Sequence, residues 1–256
     1  MYRPRPPLRF FAFSESVMKP GLILRLCMLL TLSMSSGICL AGIQVGGTRI
    51  IFPASDREAS IQVSNLGAED IMIQAWIEAE PGHQQADVPF AVTPSLARLG
   101  HRKQQTLRIF YQGKGLVQDR ESVVWLSIQE IPQVSDANNS LQVAFRQRLK
   151  LFYRPQGLPG NAEESAKQLQ WAALKAGNVP ALQAINDTAF HVSLAQVRVL
   201  ANHQEYAVES AMVGPHDTRK MIIKGLPSDF SGVAQVRWES INDYGALEKH
   251  SVSLQF

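Results

Sequence analysis

The chain has 256 residues, of which 45% are hydrophobic and 18% are charged, and this balance excludes a disordered or fibrous protein. Its formal net charge is +3, but five of the 25 basic residues and only one of the 22 acidic residues lie in residues 1–41. The rest of the chain therefore carries 20 basic and 21 acidic groups, which argues against a basic surface for nucleic acid. Cys27 and Cys39 also lie in this N-terminal stretch, so the remainder has no disulfide scaffold, thiolate metal site or cysteine nucleophile.

Residues 18–41 have the layout of a secretory signal peptide. A short basic start precedes an apolar run, and small residues then lead to a cleavage site after Ala41. The apolar run is too short to span a bilayer, so no stable membrane insertion is expected. Residues 1–17 fit no part of this layout, and the natural start is therefore placed at Met18. The mature protein is expected to begin near Gly42 and to work outside the cytoplasm.

Short runs of alternating apolar and polar residues follow, which is typical of half-buried β-strands. Clusters of Gly, Pro, Asn and Asp separate many of these runs and indicate turns. Many short strands with frequent turns favour an all-β fold of antiparallel sandwiches. The strands are predicted around Ile61–Val63, Ile71–Ala75, Thr106–Tyr111, Val123–Ile131, Leu169–Leu174, Ala181–Ile185, Val192–Val199, Met221–Ile223 and Val233–Trp238.

Residues 141–153 are predicted to form one strand of about twice the usual length of five to six residues. Leu141, Val143 and Phe145 begin an apolar face that continues, with one polar break, to Tyr153. The other face is mostly basic, and its arginines at 146 and 148 are expected to be solvated. A strand with this pattern either packs on the protein's own core or pairs with another chain.

A composition change after Arg154-Pro155 predicts a boundary between two domains. Residues 156–165 have the polar, Gly- and Pro-containing composition of a linker. We therefore predict a sandwich over 42–155 and a second one over 166–256, each of about a hundred residues.

The sequence carries no recognisable catalytic or cofactor motif. It has no phosphate-binding GxxxxGK[ST] loop, no GxSxG elbow and no HExxH pair. The six histidines lack the spacing of metal ligands and are predicted to be surface or turn residues. We therefore expect a protein that is not an enzyme and that has no catalytic residue, no metal and no cofactor.

Taken together, several short motifs resemble the periplasmic pilus chaperones of the PapD-like family. The resemblance covers essentially the whole chain after residue 41, and the short loop before residue 141 is similar to the short-loop branch. The sequence departs from the family at Asn186–Phe190, where two frequent prolines are missing. The matching motifs are Thr48–Phe52, Gln74–Trp76, Leu107–Ile109, Asp119–Ser122, Glu130–Pro132, Lys150–Pro155 and Ile241–Gly245.

The resemblance implies two immunoglobulin-like β-sandwich domains in a boomerang arrangement, with a cleft between them. It implies that the protein works in the periplasm, where it binds pilus subunits by donor-strand complementation. It would promote their folding, prevent their premature polymerisation and deliver them to an outer-membrane usher. Such an exposed apolar edge strand would also allow the free protein to self-associate.

The same resemblance assigns roles to eight residues. Leu141, Val143 and Phe145 match the family's groove-filling positions on the donated strand. Arg49 and Lys150 match the two cations that hold the subunit's C-terminal carboxylate. The trio that matches a structural salt-bridge network between the two domains consists of Glu121, Arg154 and Asp243.

Two other classes of protein stay open at this point. The chain would be a secreted adhesin or pilus structural subunit if its own sandwiches polymerised by strand exchange. That class usually has one domain and a disulfide, whereas the mature chain predicts two domains and has no cysteine. A periplasmic enzyme with a carbohydrate-binding sandwich would need a cluster of acids or aromatic residues in a cleft, and the sequence does not suggest one.

Overall fold

The computed structural model describes residues 42–80, 88–133, 141, 143–177 and 179–256. The predicted signal peptide of residues 18–41, with Cys27 and Cys39, lies outside the described residues. So does most of the loop over 132–140, and the assignment to the short-loop branch stays a prediction. In the described part of the chain, no helix is long and apolar enough to cross a membrane.

The first sandwich consists of two sheets, with strand orders β1-β3-β7-β5 and β2-β9-β8-β4-β6 among the described residues. All neighbouring strands are antiparallel except β2 and β9, which are parallel. The strands are β1 Ile43–Val45, β2 Arg49–Pro53, β3 Glu58–Asn65, β4 Ile71–Glu78, β5 Phe90–Thr93, β6 Leu96–Leu99, β7 Gln104–Tyr111, β8 Ser122–Ile131 and β9 Arg146–Arg154.

The period-two pattern decides which face of each strand enters this core. Ile61 and Val63 are buried on β3, and Ile73 and Ala75 are buried on β4, as their spacing predicts. They belong to one core cluster between the two sheets, which also includes Leu107 of β7 and Leu151 of β9. Burying each large side chain stabilises the fold by about 1.5–3 kcal/mol.

The second sandwich pairs a β10-β11-β15 sheet with a β13-β12-β16-β17 sheet, and β14 also pairs with β12. A one-turn helix, α1, precedes it. The strands predicted in this half are confirmed, with the short one around Met221 extended at its start. The elements are α1 Ala162–Ser165, β10 Gln170–Ala176, β11 Val179–Asn186, β12 Val192–Ala201, β13 Gln204–Val208, β14 Met212–Val213, β15 Asp217–Ile222, β16 Val233–Ile241 and β17 Leu247–Gln255.

The predicted linker over 156–165 is partly helical, because α1 occupies its last four residues. Asn161 caps this turn, since its side chain accepts a hydrogen bond from the Glu164 backbone N–H at 2.8 Å. The negative charges of Glu163 and Glu164 in the first turn interact favourably with the positive end of the helix dipole. The segment with linker-like composition therefore also contains the start of a short helix.

The turn after β11 is held by a side chain in place of the missing prolines. Asn186 is buried, and its Nδ2 donates to the Phe190 and Gly214 carbonyls at 2.7 Å each. Its Oδ1 accepts hydrogen bonds from the backbone and hydroxyl of Thr188. These hydrogen bonds restrain the backbone of this turn, which lacks the two prolines that the family often has there.

Candidate functional site

The predicted strand over 141–153 is wrong at its N-terminal end, because β9 begins at Arg146. Leu141, Val143 and Phe145 precede the strand, with exposed fractions of 89%, 55% and 57%. The reason is a lack of partners: pairing with β8 ends at Arg146, apart from one bond from the Glu130 N–H to the Phe145 carbonyl. The alternation that predicted a strand is present, but its apolar side chains face solvent in the free chain.

One edge of β9 is open over its first half. On one side β8 pairs with β9 from Arg146 to Tyr153, whereas on the other side β2 begins only at Lys150. Among the described strands, none covers the second edge between Arg146 and Leu149. The open edge therefore presents main-chain donors and acceptors to which another strand can add.

The open edge ends at a pair of cations. Arg49 and Lys150 are direct neighbours across the parallel β2–β9 pair, and the Arg49 charge lowers the pKa of Lys150 in addition to the larger effect of burial. Glu80 acts weakly in the opposite direction. Burial also lowers the pKa of Arg49. Two desolvated like charges side by side favour an anion as a ligand.

Both cations also bridge the two sandwiches, which sequence reasoning missed. Arg49 Nη1 donates to the Ile241 carbonyl of β16 at 2.8 Å. Lys150 Nζ lies 3.4 Å from Ser193 Oγ of β12, a long hydrogen bond. The Lys150 ammonium also lies 5.8 Å from the centre of the Trp125 ring, within range of a cation–π contact.

Glu121, Arg154 and Asp243 come together as a bridge between the sandwiches. Arg154 Nε donates to Glu121 Oε1 at 2.7 Å, and its two terminal nitrogens donate to the Asp243 carboxylate at 2.7 and 3.0 Å. The side-chain exposures are 2% for Glu121, 22% for Arg154 and 34% for Asp243. The Arg154–Glu121 pair is thus largely buried, so removing one of its partners should cost more than breaking a solvent-exposed pair.

The prediction that every histidine lies on the surface or in a turn is wrong for His191. Its side chain is 7% exposed and its ring lies 5.5 Å from that of Phe152. Its backbone N–H donates to Glu121 Oε2 at 2.8 Å, and its Nδ1 lies 3.2 Å from the same oxygen. His191, on the second sandwich, therefore supplies the hydrogen-bond partner for Glu121 Oε2. Nothing in the sequence around His191 signalled this role.

Arg146 and Arg148 are exposed, as predicted, but both also have partners on the same sheet. Both lie within salt-bridge distance of Glu78, at 2.7 and 2.8 Å. Their guanidinium groups lie over the rings of Trp76 and Trp125 at 4.6 and 4.7 Å. Trp125 lies on the neighbouring strand β8 and Trp76 on β4, one strand further away, so these cation–π contacts depend on the order of strands in the sheet.

Several of these residues line a cleft between the two sandwiches. Its walls include Arg49, Phe152 and Arg154 from the first sandwich and His191 and Tyr244 from the second. Within the described ranges, no group of three or more His, Cys, Asp or Glu residues is placed to hold a metal ion. The arrangement is suited to binding an extended chain along an open edge and an anion at its end.

Two family models match almost the whole described part of the chain. The model described as "Pili and flagellar-assembly chaperone, PapD N-terminal domain" matches residues 42–159. The model described as "Pili assembly chaperone PapD, C-terminal domain" matches residues 164–252.

Curated relatives are also named as chaperones. The chain is 33% identical to the probable fimbrial chaperone YadV of Escherichia coli K12, over 86% of this chain and 92% of the relative. It is 34% identical to the chaperone protein FimB/FhaD of Bordetella pertussis, over 84% of this chain and 88% of that one.

Solved structures agree with the sequence relatives. The crystal structure of the YadV chaperone matches with a TM-score of 0.74 and 30% identity, over 84% of this chain and all of that one. A Salmonella enterica SafA pilin in complex with the SafB chaperone matches with a TM-score of 0.69 and 28% identity, over 85% of this chain and 97% of that one. The all-β fold with two immunoglobulin-like domains is thereby confirmed.

Proposed function

Because the chain belongs to the PapD-like family of pilus assembly chaperones, we propose that it captures pilus subunits by lending them the edge from Leu141 to Lys150 as a missing strand. Its relatives are named as fimbrial chaperones, and the family is not an enzymatic one, so the chaperone role stands over that of a secreted adhesin or structural subunit. The complex of SafA with SafB supports pilus subunits as the partners.

The observation that carries the donor proposal is the exposure of apolar side chains beside an unpaired strand edge. Val143 and Phe145 are more than half exposed, although apolar side chains at this spacing would ordinarily be buried. A partner strand would satisfy the open main-chain groups, and a groove in the partner would take the alternate side chains. Each apolar side chain buried there contributes about 1.5–3 kcal/mol.

Arg49 and Lys150 are proposed to bind the subunit's C-terminal carboxylate. An ammonium has three donors, and the described contacts of Lys150 use one of them in a long bond. A carboxylate would also relieve the repulsion between the two cations. Anchoring the terminus fixes the register, because a shift of one residue turns every side chain to the opposite face.

The further steps extend this proposal. The protein would work in the periplasm after removal of residues 1–41, and would pass its subunit to an outer-membrane usher, where another strand replaces its own. Glu121, Arg154 and Asp243 would hold the angle between the two sandwiches and thereby keep the cleft open. The free protein would self-associate only weakly, by pairing at the same open edge.

The experiment compares subunit capture by the mature wild type, Lys150→Met and Lys224→Met. Methionine keeps an unbranched apolar stem against Trp125 but removes the charge, and Lys224 is an exposed lysine of the second sandwich that serves as a matched control. Tagged proteins are recovered from the periplasm of cells that make the pilus, and bound chains are identified by intact mass. We expect one subunit per wild-type and Lys224→Met chaperone, and a loss of at least about tenfold with Lys150→Met.

The free energy of unfolding separates a binding defect from a folding defect. Removing a desolvated charge beside Arg49 should leave the stability of Lys150→Met unchanged or slightly raised. Equal recovery with all three proteins would reject Lys150 as the anchor. No bound subunit in any of them, with subunits present in the extract, would reject capture at this edge.

A further inference from the structure

Glu130, on β8 beside Phe145, is a buried carboxylate that lacks a full set of hydrogen-bond partners. Glu130 of β8 is 7% exposed, and its Oε2 has no hydrogen-bond partner among the described residues. Its carboxylate accepts a hydrogen bond from the Ile43 backbone, but burial outweighs this bond and raises the pKa of Glu130. An unpaired buried acceptor is unfavourable, so a donor is expected beside Oε2.

The residue beside this oxygen is Gly42. A Cβ placed on Gly42 would lie 2.7 Å from Glu130 Cδ and 2.8 Å from Oε1, and closer still to Oε2. The carboxylate thus occupies the space of a side chain at residue 42. Because a Cβ lies about 2.5 Å from the nitrogen of its own residue, the Gly42 nitrogen is within about 5 Å of Oε2.

We infer that Glu130 is the acceptor for the α-ammonium group that cleavage after Ala41 creates on Gly42. A signal peptidase would hydrolyse the Ala41–Gly42 amide with one water, which leaves a carboxylate on Ala41 and an ammonium on Gly42. The amide nitrogen has one donor and no charge, whereas the ammonium has three donors and a positive charge. This inference rests on the proposed export of the chain, since it needs a mature terminus at residue 42.

The ion pair would restrain the backbone where the exposed residues before β9 meet that strand. The Glu130 N–H already donates to the Phe145 carbonyl at 2.9 Å, and Gln147 Nε2 donates to the Ile43 carbonyl at 3.1 Å. The Leu66 N–H donates to the Gly42 carbonyl at 2.9 Å and fixes the first residue from the other side. Removal of the signal peptide would therefore complete a network that joins the mature terminus to the residue where the exposed segment begins.

The test measures the pKa of the α-amino group in the full mature protein, without any subunit. Chains that begin at Gly42 are released from a fusion by a protease that leaves no extra residue, and trace acetylation of the terminal amine is followed against pH by peptide mass. We expect the α-amino pKa of the wild type to lie above its ordinary range, and that of Glu130→Gln to return to it. Glu78→Gln, which alters a carboxylate on another strand, should leave the terminal amine unchanged.

A second variant keeps the test decisive if Glu130→Gln folds poorly. A chain with one serine added before Gly42 keeps Glu130 but moves the ammonium away, and its α-amino pKa should be ordinary. A wild-type amine with an ordinary pKa, or one equally raised in the serine-extended chain, would overturn the inference. Neither result depends on subunit capture, so failure here is distinct from failure of the chaperone proposal.

Discussion

Glu121→Gln is expected to weaken the bridge between the two sandwiches more than Asp243→Asn does. The Glu121 carboxylate accepts from Arg154 Nε at 2.7 Å and from the His191 backbone N–H at 2.8 Å. Glutamine has one acceptor oxygen and one donor nitrogen in the same space. Either Arg154 or the His191 N–H must therefore lose its acceptor and face another donor.

The size of the loss follows from burial. Removing one partner of a fully buried ion pair costs about 3–5 kcal/mol. Arg154 is 22% exposed and keeps its two bonds to Asp243, so the expected loss for Glu121→Gln is about 2–3 kcal/mol. The Asp243 side chain is 34% exposed, and Asp243→Asn should cost only about 0–1 kcal/mol.

Urea unfolding followed by tryptophan fluorescence measures both variants. Each sandwich contains two tryptophans, Trp76 and Trp125 in the first and Trp171 and Trp238 in the second, so unfolding of either is visible. Asp243→Asn is the matched control, because it alters the other carboxylate bound to the same guanidinium. Losses of equal size in the two variants, or a loss below about 1 kcal/mol for Glu121→Gln, would refute the argument from burial.

Two further results are expected. Phe145→Ala should lower subunit affinity about 10- to 100-fold without changing the urea midpoint, because the side chain is 57% exposed in the free protein. Val233→Ala, at a site 68% exposed on the second sandwich, should leave affinity unchanged, and a lower midpoint for Phe145→Ala would mean that Phe145 packs on its own core. Burial raises the pKa of Glu78, but hydrogen bonds and the charges of Arg146 and Arg148 outweigh it and hold the pKa below its ordinary 4.5. Its contribution to stability is thus present above pH 4.5 and lost as the pH falls through the lower folded value, so Glu78→Gln should reduce the acid-side slope of stability, and an unchanged slope would contradict this assignment.

The sequence predicts the strands well because each one obeys a local rule. Alternation of apolar residues identified the core faces of β3 and β4, and it does so without knowledge of the neighbouring strand. The same rule extended β9 too far, because alternation continues to Leu141 while the partner strand β8 does not. Whether a residue with strand patterning is paired depends on a non-local partner, which the local pattern does not contain.

The candidate site shows a similar division between residue identity and environment. Motifs singled out Arg49, Lys150 and Arg154 as candidates. The structure places Arg49 and Arg154 in the walls of the cleft and Lys150 directly opposite Arg49 in the β2–β9 pair. Their environments could not be predicted, because their burial and their contacts with Ile241, Ser193 and Asp243 arise from a second domain far along the chain. The degree of burial then decides whether removing one partner of an ion pair costs little or several kcal/mol.

The charges along β9 also bear on which chain the open edge accepts. A second copy aligned in parallel, the orientation that β2 adopts against β9, would place Arg148 and Lys150 of one chain against the same cations of the other. Glu78 is the one carboxylate that the described residues place within salt-bridge distance of the arginines at 146 and 148, so the edge keeps an excess of positive charge. A strand that ends in a carboxylate meets these cations favourably, whereas a second copy meets repulsion. Lys150, which would anchor a subunit, therefore also opposes self-pairing, and raising the salt concentration should weaken both effects together.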